Sequence, residues 1–243
     1  MSLLAELKTL YNLTLKPIRG RSHAERLDSF YRNQAAHYDE FRKRLLRGRE
    51  EMLRELPFPD GGMWIDMGGG TGQNLEFVAD RLPRLRKVYV VDLASSLMEI
   101  ARDRVARRGW GNVEPVLADA ITFSPPEGQA DIVTFSYSLT MIPDWFAAID
   151  HALELLVPGG HIGVVDFYVS RKHAEAGHRQ HTWFTRTFWP IWFNVDNVYP
   201  SPDHIPYLER RFETVSFSEH WARMPYLPGF QTPYYRFIGL KRA

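Results

Sequence analysis

The chain has 243 residues, 44% of them apolar, with 30 Lys and Arg against 29 Asp and Glu, enough for one large α/β domain or two small ones with a sizeable core. It contains no cysteine, which excludes disulfides, thiolate metal sites and cysteine nucleophiles and fits a reducing compartment. No apolar run is long enough to span a bilayer and no leader pattern opens the chain, so a cytoplasmic protein is expected.

Residues 2–16 place Leu3, Leu7 and Leu10 at helical spacing until Pro17 and Gly20 break the pattern. Ser22 opens a second helical pattern, with Glu25 at capping-box distance, that runs through Tyr31 and Tyr38. An Arg-rich third helix is predicted over roughly 40–55, and Pro57, Pro59, Gly61 and Gly62 end this preamble. Residues 1–54 hold 12 Lys and Arg against 7 Asp and Glu, whereas the remainder is mildly acidic. A basic arm of this kind fits an anionic surface as partner or an ordinary solvated helix face.

Strands and helices then alternate. Strands are predicted near 63–67, 87–92, 113–118, 130–136 and 160–167, and helices near 73–81, 95–108 and 144–156. Gly159-Gly160 sits where the cap of the last of these helices belongs. Apolar strands separated by helices call for a parallel sheet covered on both faces. Residues 171–196 look helical and are rich in His and Trp, and 212–220 and 233–241 alternate as two final antiparallel strands. The expected organisation is a helical lid over 1–56 and one α/β core over 57–243, with an aromatic helical insertion near 171–200.

The chemistry concentrates after the first strand. Met63–Met67 ends beside a G-x-G-x-G turn of Gly68, Gly70 and Gly72, and a second apolar run ends in Asp92. The dinucleotide fingerprint would need glycine at 73, where Gln73 stands, and a P-loop would need a lysine that is missing between 63 and 86. Asp66, expected to face the same cavity, would repel a phosphate but suits an ammonium group. S-adenosylmethionine carries that group and no phosphate. Asp92 is placed to accept its ribose hydroxyls, Leu93 to pack on adenine, and Asp119-Ala120 to meet the adenine amino group. Ser136 closes the fourth strand at the sheet's carboxyl edge.

In this order the residues resemble the class I S-adenosylmethionine-dependent methyltransferases. That resemblance implies a Rossmann-like fold: a mostly parallel seven-stranded sheet with an antiparallel last strand and added N-terminal helices. A closer likeness lies in Phe30–Asp39, Arg44-Leu45-Leu46-Arg47-Gly48-Arg49-Glu50, Asp66–Gly72, Ser136-Tyr137-Ser138-Leu139-Thr140-Met141-Ile142-Pro143 and Pro233–Tyr235. These segments resemble the methyltransferase half of betaine lipid synthase, the BtaB-type N-methyltransferases. The resemblance covers about 25–241 and implies three methylations of the amine of diacylglyceryl-homoserine, giving diacylglyceryl-trimethylhomoserine. It also implies a lipid headgroup substrate, peripheral attachment to the membrane, and the aminocarboxypropyl transferase of the same pathway as a partner. A phospholipid amine, a quinone or a soluble amine is the alternative acceptor. Nucleic acid is not expected, because 136–139 reads Ser-Tyr-Ser-Leu where amino-group nucleic-acid enzymes carry Asn/Asp-Pro-Pro-Tyr/Phe.

Methyl transfer from a sulfonium is an in-line displacement that asks mainly for positioning and exclusion of water. Tyr137 and Tyr31 are the candidate catalytic residues, and Tyr38 the candidate to close over the cofactor. Trp145, Met141, His181, Arg186 and Tyr199 are the candidate acceptor-binding residues. A quaternary ammonium product would favour aromatic faces, for which Tyr168, Trp183, Trp189 and Trp192 are further candidates. Arg47 and Arg49 join Arg186 as candidates for the homoserine carboxylate. No metal is expected, since His173, His178 and His181 do not share one helix face. Residues 2–16, followed by Lys16, Arg19 and Arg21, fit either adsorption onto anionic lipid or a cover for the pocket.

Overall fold

The computed structural model describes Glu25 and residues 45–195, 197–224, 227 and 229–242. Tyr31, Tyr38 and the helices read over 2–16 and 22–38 lie outside the described residues.

Seven strands form one sheet: β1 (Met63–Met67), β2 (Lys87–Asp92), β3 (Val113–Leu117), β4 (Ala130–Ser136), β5 (Leu156–Phe167), β6 (Glu213–Arg223) and β7 (Gln231–Leu240). Their order is β3-β2-β1-β4-β5-β7-β6. The first five are parallel, and β7 runs antiparallel between β5 and β6. The described helices are α1 (Arg49–Glu55), α2 (Asn74–Phe77), α3 (Ser95–Arg108), α4 (Trp145–Leu155), α5 (Trp183–Asn194) and α6 (His204–Arg211). None is long and apolar enough to cross a membrane.

β1 is buried along its whole length, which is why it reads as an apolar run broken only by Asp66. Its alternate side chains feed two cores. Trp64 packs with Met52, Leu53, Leu75 and Met98 on one face. Ile65 and Met67 join Phe135, Ile149, Ala152 and Phe237 on the other. Gly163 of β5 passes so close under α1 that a Cβ there would lie 2.6 Å from Met52 Sδ.

Local chemistry sets the helix ends. Gly109 closes α3 in the left-handed conformation (φ 66°), its N–H donating to the Val105 and Ala106 carbonyls. Asp144 caps α4 by accepting from Ala147 N–H, and Thr182 caps α5 by accepting from Thr185 N–H.

Three sequence expectations need correction, and one helix is new. The helix read over 73–81 shortens to Asn74–Phe77, because Val78 leaves helical geometry as its side chain enters the core. The helix read over 171–196 begins only at Trp183, where Thr182 supplies the cap. Gly159-Gly160 is not a helix cap. α4 runs directly into β5, Gly159 (φ 80°) donates to the Lys241 carbonyl, and a Cβ at Gly160 would lie 2.9 Å from the Val157 carbonyl. Helix α6 went unread between the aromatic segment and the final strands.

At the start of α6, His204 is wholly buried, edge-on to Trp145 with ring centroids 4.7 Å apart. Neither ring nitrogen has a hydrogen-bond partner among the described residues, and burial pushes its pKa down to about 3. The folded state therefore excludes a proton that the unfolded chain binds below about 6.5. This contribution to stability is present above that pH and is lost as pH falls toward the folded value. Replacing His204 with Phe keeps the ring contact and removes two unsatisfied polar atoms. His204→Phe should raise the unfolding free energy, with a gain about 2 kcal/mol larger at pH 5 than at pH 8. Urea unfolding at both pH values measures this, and a pH-independent difference would contradict it.

Candidate active site

A cleft opens at the carboxyl edge of the sheet where β1 lies between β2 and β4. Chain connections reverse direction there, the usual position of ligands in open α/β sheets. Its walls come from Gly68, from Asp92 and Leu93 at the end of β2, from Asp119 and Ala120 after β3, and from Tyr137, Ser138 and Met141 to Pro143 after β4. Leu97 and Ile121 add apolar surface.

The glycine turn is held from below and from the side. Gly68 and Gly69 N–H both donate to the Val91 carbonyl (2.8 and 3.1 Å), and Gly70 N–H donates to Asp92 Oδ2 (3.0 Å). Asp92 Oδ1 accepts from Ala94 N–H (2.9 Å), so this carboxylate ties the turn to the end of β2. Gly68, Gly70 and Gly72 all have positive φ, which explains the glycine spacing. At Gly68 there is a second reason: a Cβ would lie 2.4 Å from Ser138 Cβ.

Asp66 departs from expectation. It does not line the cleft but lies fully buried behind the turn. Thr134 Oγ1 donates to its Oδ1 (2.7 Å), and Asn74 Nδ2 lies 3.0 Å from Oδ2. Trp64 Nε1 in turn donates to Thr134 Oγ1 (2.8 Å). Burial pushes the Asp66 pKa up to about 6, against these hydrogen bonds and the nearby Arg49 charge. Its geometry suits an anchor for the turn rather than a ligand for a free ammonium. Arg49 is buried beside it and donates to Gln73 Oε1 (3.1 Å). Asn74, Thr134 and Arg49 were missed as one network because their contacts span helix, strand and preamble. Only the short spacing between Asp66 and Asn74 was visible in the sequence.

Tyr137 stands at the cleft in an uncommon conformation for a bulky residue (φ 56°). Its N–H donates to the Val165 carbonyl and its hydroxyl to the Arg47 carbonyl, each at 2.7 Å. Burial, reinforced by the Asp166 carboxyl, pushes the phenol pKa well above 10. It stays protonated, so it can orient a neighbour but is a poor base. Ser136 is buried with no partner for Oγ among the described residues and does not line the cleft; Ser138, two residues on, does.

Asp119 and Ala120 line the cleft, with Asp119 Oδ1 also accepting from Ile121 N–H (2.9 Å). Met141 lines it as well. The other acceptor candidates stand elsewhere. Trp145 stacks on Phe146 at the start of α4. His181 is buried, its Nδ1 accepting from Ser170 N–H (3.0 Å). Arg186 and Trp183 lie on α5, Trp183 being 72% exposed on its outer side. Trp189 is core, and Tyr168 is buried with its hydroxyl on Glu219 (2.6 Å). Tyr199 is exposed but donates its N–H to the Thr140 carbonyl (2.7 Å), at the cleft's edge. His178 stands 3.0 Å from Glu209 and near Glu175, whose carboxylate lies 3.4 Å from Arg171.

Among the described residues the cleft has two carboxylates, apolar walls and no Lys or Arg. That donor set fits a ligand with hydroxyls, an amine and a sulfonium, and disfavours one with a phosphate.

A family model described as a methyltransferase domain matches residues 38–217. Demethylmenaquinone methyltransferase of Geobacillus kaustophilus is 26% identical over 145 residues, 58% of this chain and 62% of that protein. A ubiquinone/menaquinone biosynthesis C-methyltransferase, UbiE of Hydrogenovibrio crunogenus, is 30% identical over 108 residues, 44% of this chain and 42% of that protein. The chain thus spans about six tenths or less of these relatives' length. Among solved structures, Haemonchus contortus phosphoethanolamine N-methyltransferase 2 with S-adenosyl-L-methionine has TM-score 0.70 at 15% identity, over 94% of this chain and 62% of that one. The [4+2]-cyclase SpnF has TM-score 0.68 at 16% identity, over 94% of this chain and all of its own. At such identities the likeness is one of fold, and the cyclase illustrates that this fold does not dictate a reaction.

Proposed function

The chain belongs to the methyltransferase-domain family, and from that premise we propose that this S-adenosylmethionine-dependent enzyme methylates the amine of diacylglyceryl-homoserine, three times, to give the betaine headgroup. The observation that carries the reading is a contact. The two segments most particular to the BtaB-type resemblance, Arg44–Glu50 and Ser136–Pro143, are far apart in sequence. They are joined beside the cleft by the Tyr137 hydroxyl on the Arg47 carbonyl (2.7 Å).

Bound S-adenosylmethionine supplies an electrophilic methyl on a sulfonium, so the residues have to hold and shield rather than activate. Asp92 would accept from the ribose hydroxyls, and Leu93 and Leu97 would cover adenine, with Asp119 at its amino edge. Tyr137 and Ser138 line the same cleft and would border the bound amine. Asp92 and Asp119 leave a negative field in a cleft with no opposing Lys or Arg among the described residues, which favours a product that gains a fixed positive charge. Peripheral association with the membrane and cooperation with the aminocarboxypropyl transferase are parts of the same proposal.

A quinone acceptor is the second reading, favoured by the demethylmenaquinone methyltransferase similarity. Incubation with labelled S-adenosylmethionine and each acceptor, followed by mass spectrometry, separates them. Three successive methyl increments on diacylglyceryl-homoserine are expected. Label on demethylmenaquinone alone would replace the first reading with the second.

A further inference from the structure

We propose that the outer face of α5, together with Phe230 beside the start of β7, is the surface by which this protein docks on an anionic lipid bilayer. The proposal rests on the lipid-acceptor reading for its purpose but on separate observations for its location.

Helix α5 is apolar on both sides. Trp189 and Phe193 face the core, while Trp183, Ile191 and Val195 are 72%, 67% and 52% exposed. Those three positions are eight and four residues apart, so they form one stripe along the helix. Phe184 is also exposed and stacks on Phe188 (5.1 Å). The patch continues onto a second segment: Phe230, beside the start of β7, lies 5.5 Å from the Phe188 ring, and Met224 and Leu227 pack below. Contiguous exposed aromatic surface of this kind, with tryptophan among its members, suits the boundary between headgroups and acyl chains.

Charge selects the occupant. Residues 177–200 and 221–231 contain Arg179, Arg186 and Arg223 against Asp196 alone. A second copy of the same face would set these arginines against each other. Residues 1–44 are also basic, with 9 Lys and Arg against 5 Asp and Glu, and so match the patch poorly in charge. An anionic bilayer would suit both the apolar stripe and the net positive charge of these segments.

Position links the patch to the cleft. Phe193, on the inner side of α5, stacks on Phe167 (4.7 Å), and Phe167 packs on Tyr137 (4.6 Å). The chain leaving α5 returns to the cleft's edge through Tyr199 N–H on the Thr140 carbonyl. A bilayer seated on α5 would therefore lie near the side from which a lipid amine must enter.

The test is co-sedimentation of the full chain with phosphatidylcholine vesicles and with phosphatidylcholine–phosphatidylglycerol vesicles. The unaltered chain should prefer the anionic vesicles. Trp183→Ser/Ile191→Ser should lose about tenfold or more in partitioning while keeping its melting temperature and cofactor affinity. Retained partitioning, or a monomer produced from a dimer by the same substitutions, would overturn the proposal. So would loss of partitioning on deletion of residues 1–44 with none in the double variant. Methylation of a dispersed short-chain diacylglyceryl-homoserine separates the two readings. The double variant should turn it over normally. If the unaltered chain sediments through α5 but never methylates the lipid, the acceptor reading falls and the docking surface stands.

Discussion

Asp92→Ala should weaken S-adenosylmethionine binding by roughly 100-fold or more. The carboxylate does two things at once. Its oxygens accept from Gly70 and Ala94 N–H (3.0 and 2.9 Å), which fixes the glycine turn against β2. Its position at the end of β2, lining the cleft, is where a ribose diol would present two donors. A hydrogen bond to a charged acceptor contributes about 1.5–3 kcal/mol, so the loss of two amounts to about 3–6 kcal/mol before any loosening of the turn. Titration calorimetry with the folded variant is the measurement, with circular dichroism to verify the fold. Affinity within a few-fold of the parent would refute the ribose contact. Asp92→Asn divides the effect, because an amide oxygen can still hold one N–H but lacks the charge.

Gly68→Ala should cost both stability and cofactor binding, and the useful comparison is Gly109→Ala. The two glycines have almost the same φ, 67° and 66°, so the conformational cost of adding a side chain is matched. Their surroundings differ. A Cβ at Gly109 meets nothing within 4 Å, whereas one at Gly68 lies 2.4 Å from Ser138 Cβ. Rotation of the Ser138 side chain cannot relieve this, because its Cβ is fixed by the backbone, and its Oγ donates to the Met67 carbonyl (2.9 Å). Gly109→Ala should therefore lose about 1 kcal/mol. Gly68→Ala should lose roughly 2–3 kcal/mol more through overpacking. Equal losses in urea denaturation would show that the close approach of Ser138 is unimportant. Ser138→Gly placed behind Gly68→Ala should restore part of the difference.

The same residues show how far a sequence can be read. Strands β1 and β2 were legible to the residue because both are buried apolar runs bounded by charge and glycine. Helix α3 was legible because Gly109 punctuates it. Asp92 and Asp119 could be placed at the cleft because a parallel sheet puts every strand's carboxyl end on one edge. Asp66 could not be placed. Its position just before the turn suits a ligand contact and a buried anchor equally, and the choice depends on Thr134, 68 residues away. The aromatic segment misled in the same way. Spacing marks Trp183, Trp189 and Tyr199 as apolar or aromatic, but not which faces the core and which faces solvent.

What the sequence determined alone was the succession of the seven strands and of helices α2 to α4, the glycine turn and the acidic strand ends, because periodicity and backbone conformation are local. The family likeness to BtaB-type enzymes also came from sequence, and the acceptor proposal still rests on it. Tertiary structure alone decided that Asp66 is buried behind the turn against Thr134 and Asn74 and that the Tyr137 hydroxyl donates to the Arg47 carbonyl. It also decided that His204 is buried with no hydrogen-bond partner, and one side of α5 uncovered, among the described residues. Each of those depends on which distant backbone or side chain fills the last few ångströms around a group. Burial and hydrogen-bond partners are properties of that packing, and no window of sequence contains them.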